Sequence, residues 1–128
     1  MSAHELTPKT SPKGWRRLPL ATCHALTGLR TTFRREAAFR QECLAAAVLA
    51  PVALIARITP LERAGLIATL LAVLIVELLN TGIEAIVDLV SPDHHRLAGI
   101  AKDTGAAAVL LALLLAGTVW LIVFWPQS

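Results

Sequence analysis

Four polar side chains, Glu77, Asn80, Glu84 and Asp88, interrupt the long apolar run between Leu61 and Val90. Offsets of three, four and four place all of them on one helical face. Carboxylates in such a row can hold a divalent cation, take a proton from a hydroxyl, or carry ions through a bilayer. Each is costly in place, because an ionisable group at the centre of a membrane-crossing helix costs roughly 2.5 to 3.5 kcal/mol on insertion scales. Three such acids therefore read as a site. The competing reading is polar glue, with the row bonding to itself, to water or across a helix interface. Asp88, at the helix end where water is near, suits that reading as well as the first. For Glu77 and Glu84 the next stretch supplies partners for a reaction: Asp93, His94, His95, Arg96, Lys102 and Asp103 all fall within residues 91–103, toward the same membrane face.

The elements that must position these residues are helices in a membrane. The chain has 128 residues, is 55% hydrophobic and carries only 5% aromatic residues, with a mean hydropathy of +0.64. A soluble domain is normally about 45 to 50% apolar. Residues 104–125 carry no charge at all, and at about 1.5 Å per residue they are long enough to cross a hydrocarbon core of about 30 Å. A second span is expected over about 62–88 and a third over about 43–59, with Pro51 inside it. The expected class is all-α: three transmembrane helices, with no second domain and no internal repeat.

Ahead of the spans the character changes. Of twelve Lys and Arg, eight lie here: Lys9, Lys13, Arg16, Arg17, Arg30, Arg34, Arg35 and Arg40, against Glu5 and Glu36. That excess argues for a cytoplasmic N-terminus. Residues 1–14 read as a flexible tail without the apolar core of a signal peptide, and residues 15–128 as one membrane-embedded domain. From Trp15 to Gln41 apolar residues recur at helical spacing among the arginines, as in an amphipathic helix lying on the membrane surface near anionic head groups. With three spans the segment 89–103 then faces inward. Cys23 and Cys43 read as reduced thiols on the cytoplasmic side. No P-loop, Rossmann glycine motif or CxxC pair occurs, so a nucleotide would need another device.

Three strings reach a known family: Glu36-Ala-Ala-Phe-Arg-Gln-Glu42, the Glu77, Asn80, Glu84, Asp88 row, and Ala101-Lys102-Asp103. In this order, around three spans, they closely resemble the bacterial diacylglycerol kinases over about residues 15–125. The resemblance implies a homotrimer that phosphorylates a lipid alcohol from Mg-ATP at sites between subunits, in the bacterial inner membrane and on its cytoplasmic side, with no nucleic-acid partner. It also implies roles. Glu77 is the general base, seven residues or about 10 Å deeper than Glu84, and Asn80 supports it. Glu36 and Glu84 hold Mg²⁺, for which two carboxylates suffice when phosphates and water complete the shell. Arg17, His24, Glu36, Glu84, Asp93, His94, His95, Lys102 and Asp103 face ATP. Arg17, Glu77, Phe39, Arg40, Gln41 and Glu42 face the lipid.

Three positions depart from the family pattern. Asp93-His94-His95 stands where members commonly show Glu-Tyr-His, so His94 must supply the flat surface for adenine. His24 occupies a position where an aromatic residue is often found, and Phe33 one where tryptophan is common. Within the kinase reading the lipid is expected to be diacylglycerol, with undecaprenol as the alternative. Two rival classes are an ion- or proton-coupled transporter using Glu77 and Glu84, and a non-catalytic assembly protein.

Overall fold

The computed structural model describes residues 14–127. The expected tail lies outside the described residues except for Gly14, whose φ of 73° opens a 3-10 turn, Gly14–Arg16. Glycine adopts that angle without a Cβ clash. Four helices follow: α1, Arg17–Arg35; α2, Ala37–Ile55; α3, Pro60–Val90; and α4, Arg96–Phe124. By contacts, residues up to Thr31 form one compact unit and those from Thr32 onward another. The first consists of the opening turn and most of α1, with Leu18, Leu26 and Arg17 exposed.

In the second unit the surface helix expected to run through Gln41 is broken at Glu36, whose φ and ψ of −105° and 113° are extended. Apolar spacing continues across the break, which is why periodicity does not reveal it. Arg40 holds the break, its guanidinium donating to the carbonyls of Phe33 at 3.0 Å and Arg34 at 2.9 Å. Carbonyls at a helix end lack partners within the helix, and a basic side chain satisfies them. Residues 37–41 accordingly belong to the first membrane-length helix.

α2 ends at Ile55, and the Arg63 guanidinium reaches back to the carbonyls of Leu54 and Ala56. The start of α3 is a capping box: Thr59 Oγ1 accepts from the Glu62 N–H at 3.2 Å, and Glu62 Oε2 accepts from the Thr59 N–H at 2.7 Å. Pro60 takes the first helical position, where its missing donor costs nothing. α4 starts at Arg96, two turns before the uncharged run that marked it in the sequence. Charge shows where hydrocarbon ends and says nothing about where a helix ends. His95 caps this start, its Nδ1 accepting from the Leu97 N–H at 3.1 Å.

α2, α3 and α4 are all long and apolar enough to cross a membrane. The short links at 56–59 and 91–95 make neighbours antiparallel, and α3 packs against both α2 and α4. Leu66, Ala53, Val73 and Ala112 are buried among them. Near one end, Trp120 Nε1 donates to Thr69 Oγ1 at 3.2 Å, tying α4 to α3. The other end gathers the start of α2, the last turns of α3 and the start of α4. α3 has 31 residues, about 46 Å of helix, and so outruns a hydrocarbon core of about 30 Å. Its last turns can carry acids into the interface.

Candidate active site

The row on α3 is graded by depth. Glu77 is 5% exposed and Asn80 8%, Glu84 is half-buried and Asp88 is exposed. Buried polar groups need partners, and Asn80 finds one a turn along the helix: its Nδ2 donates to Glu84 Oε1 at 3.3 Å. The Asn80 Oδ1 atom is buried and has no partner among the described residues. It faces Gly105 of α4, where any Cβ would overlap it. The glycine is therefore what lets the amide lie in the helix interface.

Two further acids, Glu36 and Glu42, converge on this row. Glu36 acts electrostatically on Glu77, as does Glu84 within the row, and Glu77 acts in turn on Glu42. Glu42 comes from the first turns of α2 and has one buried carboxylate oxygen without a partner among the described residues. Glu36 is the residue before α2, and its carboxylate makes no capping bond. The break after α1 thus brings Glu36 within electrostatic reach of Glu77 on α3. At the water-facing end, Lys102 Nζ lies 2.6 Å from Asp88 Oδ1.

Among the described residues no three His, Cys, Asp or Glu side chains are grouped to hold a metal by themselves. The donors present are carboxylate oxygens, which suit a small hard cation that takes its remaining ligands from elsewhere. Glu36 and Glu84 both lie within electrostatic reach of Glu77, and Glu84 accepts from the Asn80 amide.

The remaining expected site residues are distributed as follows. Asp93, His94, His95 and Asp103 are exposed at or just beyond the connection into α4, with the Asp93 carbonyl accepting from Ser91 Oγ at 2.9 Å. Of these, His95 lines a largely apolar groove of about 440 Å³, with Val87 and Val90 of α3 and Leu97, Ala98 and Ala101 of α4. Arg17 and His24 are exposed on α1, in the first unit. Of the expected lipid-facing set, Gln41 is exposed, while Phe39 is 3% exposed and belongs to the core. Arg40 is occupied with the break. The sequence reading placed no weight on Gly105 as a partner of Asn80 or on Asp88 as a partner of Lys102. Both depend on the register of α4 against α3.

A family model described as prokaryotic diacylglycerol kinase matches residues 23–124. A diacylglycerol kinase of Pseudomonas aeruginosa is 46% identical over 114 residues, 89% of this chain and 93% of that protein. One from Escherichia coli strain K12 is 40% identical over the same shares, and one from Haemophilus influenzae 40% identical over 78% of this chain and 85% of its own. With a matching model across most of its length and relatives of this similarity covering nearly all of it, the chain belongs to the prokaryotic diacylglycerol kinase family and is a membrane-embedded lipid kinase.

Proposed function

We propose that this chain transfers the γ-phosphoryl group of ATP to the primary hydroxyl of diacylglycerol, giving phosphatidic acid at the cytoplasmic face of the bacterial inner membrane. The observation that carries this reading is the graded row on α3: a buried carboxylate, an amide tethered to a second carboxylate, and a charged pair at the water-facing end. A lipid hydroxyl approaches such a row from the apolar side and a nucleotide from the aqueous side. The row spans that distance.

Phosphoryl transfer asks little covalent work of a protein; it needs phosphate charge neutralised, a hydroxyl positioned and a proton accepted. Glu77 accepts the proton, because it is the deepest acid and stands nearest the apolar layer. Asn80 fixes the Glu84 carboxylate. Glu36 and Glu84 would hold magnesium, which when bound neutralises charge on the phosphate oxygens. Lys102 offers an ammonium to phosphate, His95 lines a groove that suits the flat face of a base, and Asp93, His94 and Asp103 face the nucleotide with them. Glu42, beside Glu77, accepts a hydrogen bond from the lipid head, with Phe39, Arg40 and Gln41 shaping the wall around it. On the surface helix Arg17 is assigned to nucleotide and lipid, and His24 to nucleotide.

Several helix faces are apolar and exposed, Leu111, Leu114, Leu121 and Ile122 among them. Small residues on α4, Ala106, Ala107, Ala108 and Gly117, permit close helix approach. Both features support assembly as a homotrimer with sites shared between subunits. The basic N-terminal segment supports its cytoplasmic placement.

The test is transfer of radiolabelled phosphate from Mg-ATP to diacylglycerol and, in parallel, to undecaprenol, in mixed micelles beside Glu77→Gln. Labelled phosphatidic acid that disappears in the variant is the expected result. Preferential labelling of undecaprenol would replace the substrate, and transfer to neither lipid would overturn the reading.

A further inference from the structure

Asp88 stands in the last turns of α3 and Lys102 in the second turn of α4, joined at 2.6 Å, with side chains 66% and 43% exposed. At that exposure water screens the pair, and its contribution to stability is small. Its consequence is positional. Lys102 also lies in the field of Glu84, which is one turn deeper than Asp88 on the same face. An ammonium between two carboxylates can rest on either. Resting on Asp88, it stays at the aqueous end with further N–H donors to spare, and the Glu84 carboxylate is left to accept from the Asn80 amide.

We propose that Asp88 is a positioning residue for nucleotide binding: it holds Lys102 away from Glu84, so that the ammonium is poised for phosphate and the carboxylate stays open to a divalent cation. The inference rests on the lipid kinase reading above and adds to it a residue with no place in that chemistry. Without Asp88 the acid left to Lys102 is Glu84. A Lys102–Glu84 pair would withdraw both groups at once, and because a cation competes for the same carboxylate, added metal would reverse the loss.

The test uses the full chain in mixed micelles, with Asp88→Asn, Asp88→Glu and Lys102→Ala beside the unaltered protein. Two quantities are read without turnover: the affinity for a non-hydrolysable ATP analogue, and Mn²⁺ binding followed by its paramagnetic resonance signal. Steady-state KM values for magnesium and diacylglycerol accompany them. Asp88→Asn is expected to weaken analogue and Mn²⁺ binding about two- to fivefold, the range of an exposed ion pair. The magnesium requirement should rise, KM for diacylglycerol and thermal stability should hold, and Asp88→Glu should restore binding. Unchanged analogue and Mn²⁺ binding in Asp88→Asn would overturn the proposal, as would a loss of thermal stability with binding intact. Lys102→Ala separates the two levels of the argument. If it weakens analogue binding about tenfold or more while Asp88→Asn does not, the positioning role alone falls. If it too leaves binding unchanged, the nucleotide role of Lys102 fails, and the inference with it.

Discussion

Gly105 of α4 lies against the Asn80 amide of α3 so closely that a Cβ at position 105 would overlap the amide oxygen. In a membrane, where lipid is as apolar as the helices, close approach through small residues supplies much of the packing. Here it also sets the site, since the amide held by that approach is the one bonded to Glu84.

Gly105→Ala should therefore damage chemistry more than its size suggests. Overpacking of this kind costs about 1 to 3 kcal/mol, and relief by moving Asn80 would release Glu84. The expected outcome is a lower thermal midpoint with weakened metal-dependent nucleotide binding. Gly65→Ala, where an added Cβ meets Val119 Cγ1 at an ordinary 3.9 Å, should leave both unchanged. Thermal denaturation and analogue binding on the two variants decide it; equal behaviour would separate the glycine from the site.

Glu77→Gln and Glu84→Gln should divide the reaction between them. The first removes the proton acceptor and should cut turnover about 10²- to 10⁴-fold with nucleotide affinity kept. The second removes a metal-facing carboxylate and should weaken Mg-ATP binding as well. Isothermal titration with a non-hydrolysable analogue compares them, and equal losses of affinity would contradict the assignment.

Glu42 carries a buried oxygen without a partner among the described residues and lies in the field of Glu77. A carboxylate kept there invites a donor, and the lipid hydroxyl is one. Glu42→Gln should raise the KM for diacylglycerol about tenfold, the worth of a charge-assisted hydrogen bond at its weaker end, while analogue affinity stays put. A rise in the ATP requirement instead would move Glu42 to the nucleotide side.

At the opposite end of α3, Thr69 receives the Trp120 indole N–H and donates its own proton to the Leu66 carbonyl at 2.8 Å. Thr69→Val removes the acceptor at nearly constant volume and should cost roughly 0.6 to 2 kcal/mol, the range for polar contacts between membrane helices. Thr69 is eight residues, about 12 Å, from Glu77 along α3, so KM values should hold. Unfolding in mixed micelles measures the first and steady-state kinetics the second, with Thr69→Ser expected to restore stability.

The row Glu77, Asn80, Glu84, Asp88, the three membrane-length helices and the family strings are local facts. A helix's face is set by its own period, and its ability to span is set by its own apolar length, so the sequence alone determined them. The sequence also showed that the acids and the Lys102 segment belong to the same end of the molecule, because short links force alternating helices.

What the tertiary structure decided is register. The break at Glu36 interrupts an apolar spacing that runs straight through it, and it is held by Arg40 reaching back seven residues to the Phe33 carbonyl. Glu42 meets Glu77, Gly105 meets Asn80 and Lys102 meets Asp88 because α2 and α4 stop at particular heights along α3. Those heights follow from how side chains and small residues interlock across two interfaces. No single helix carries that information in its own period.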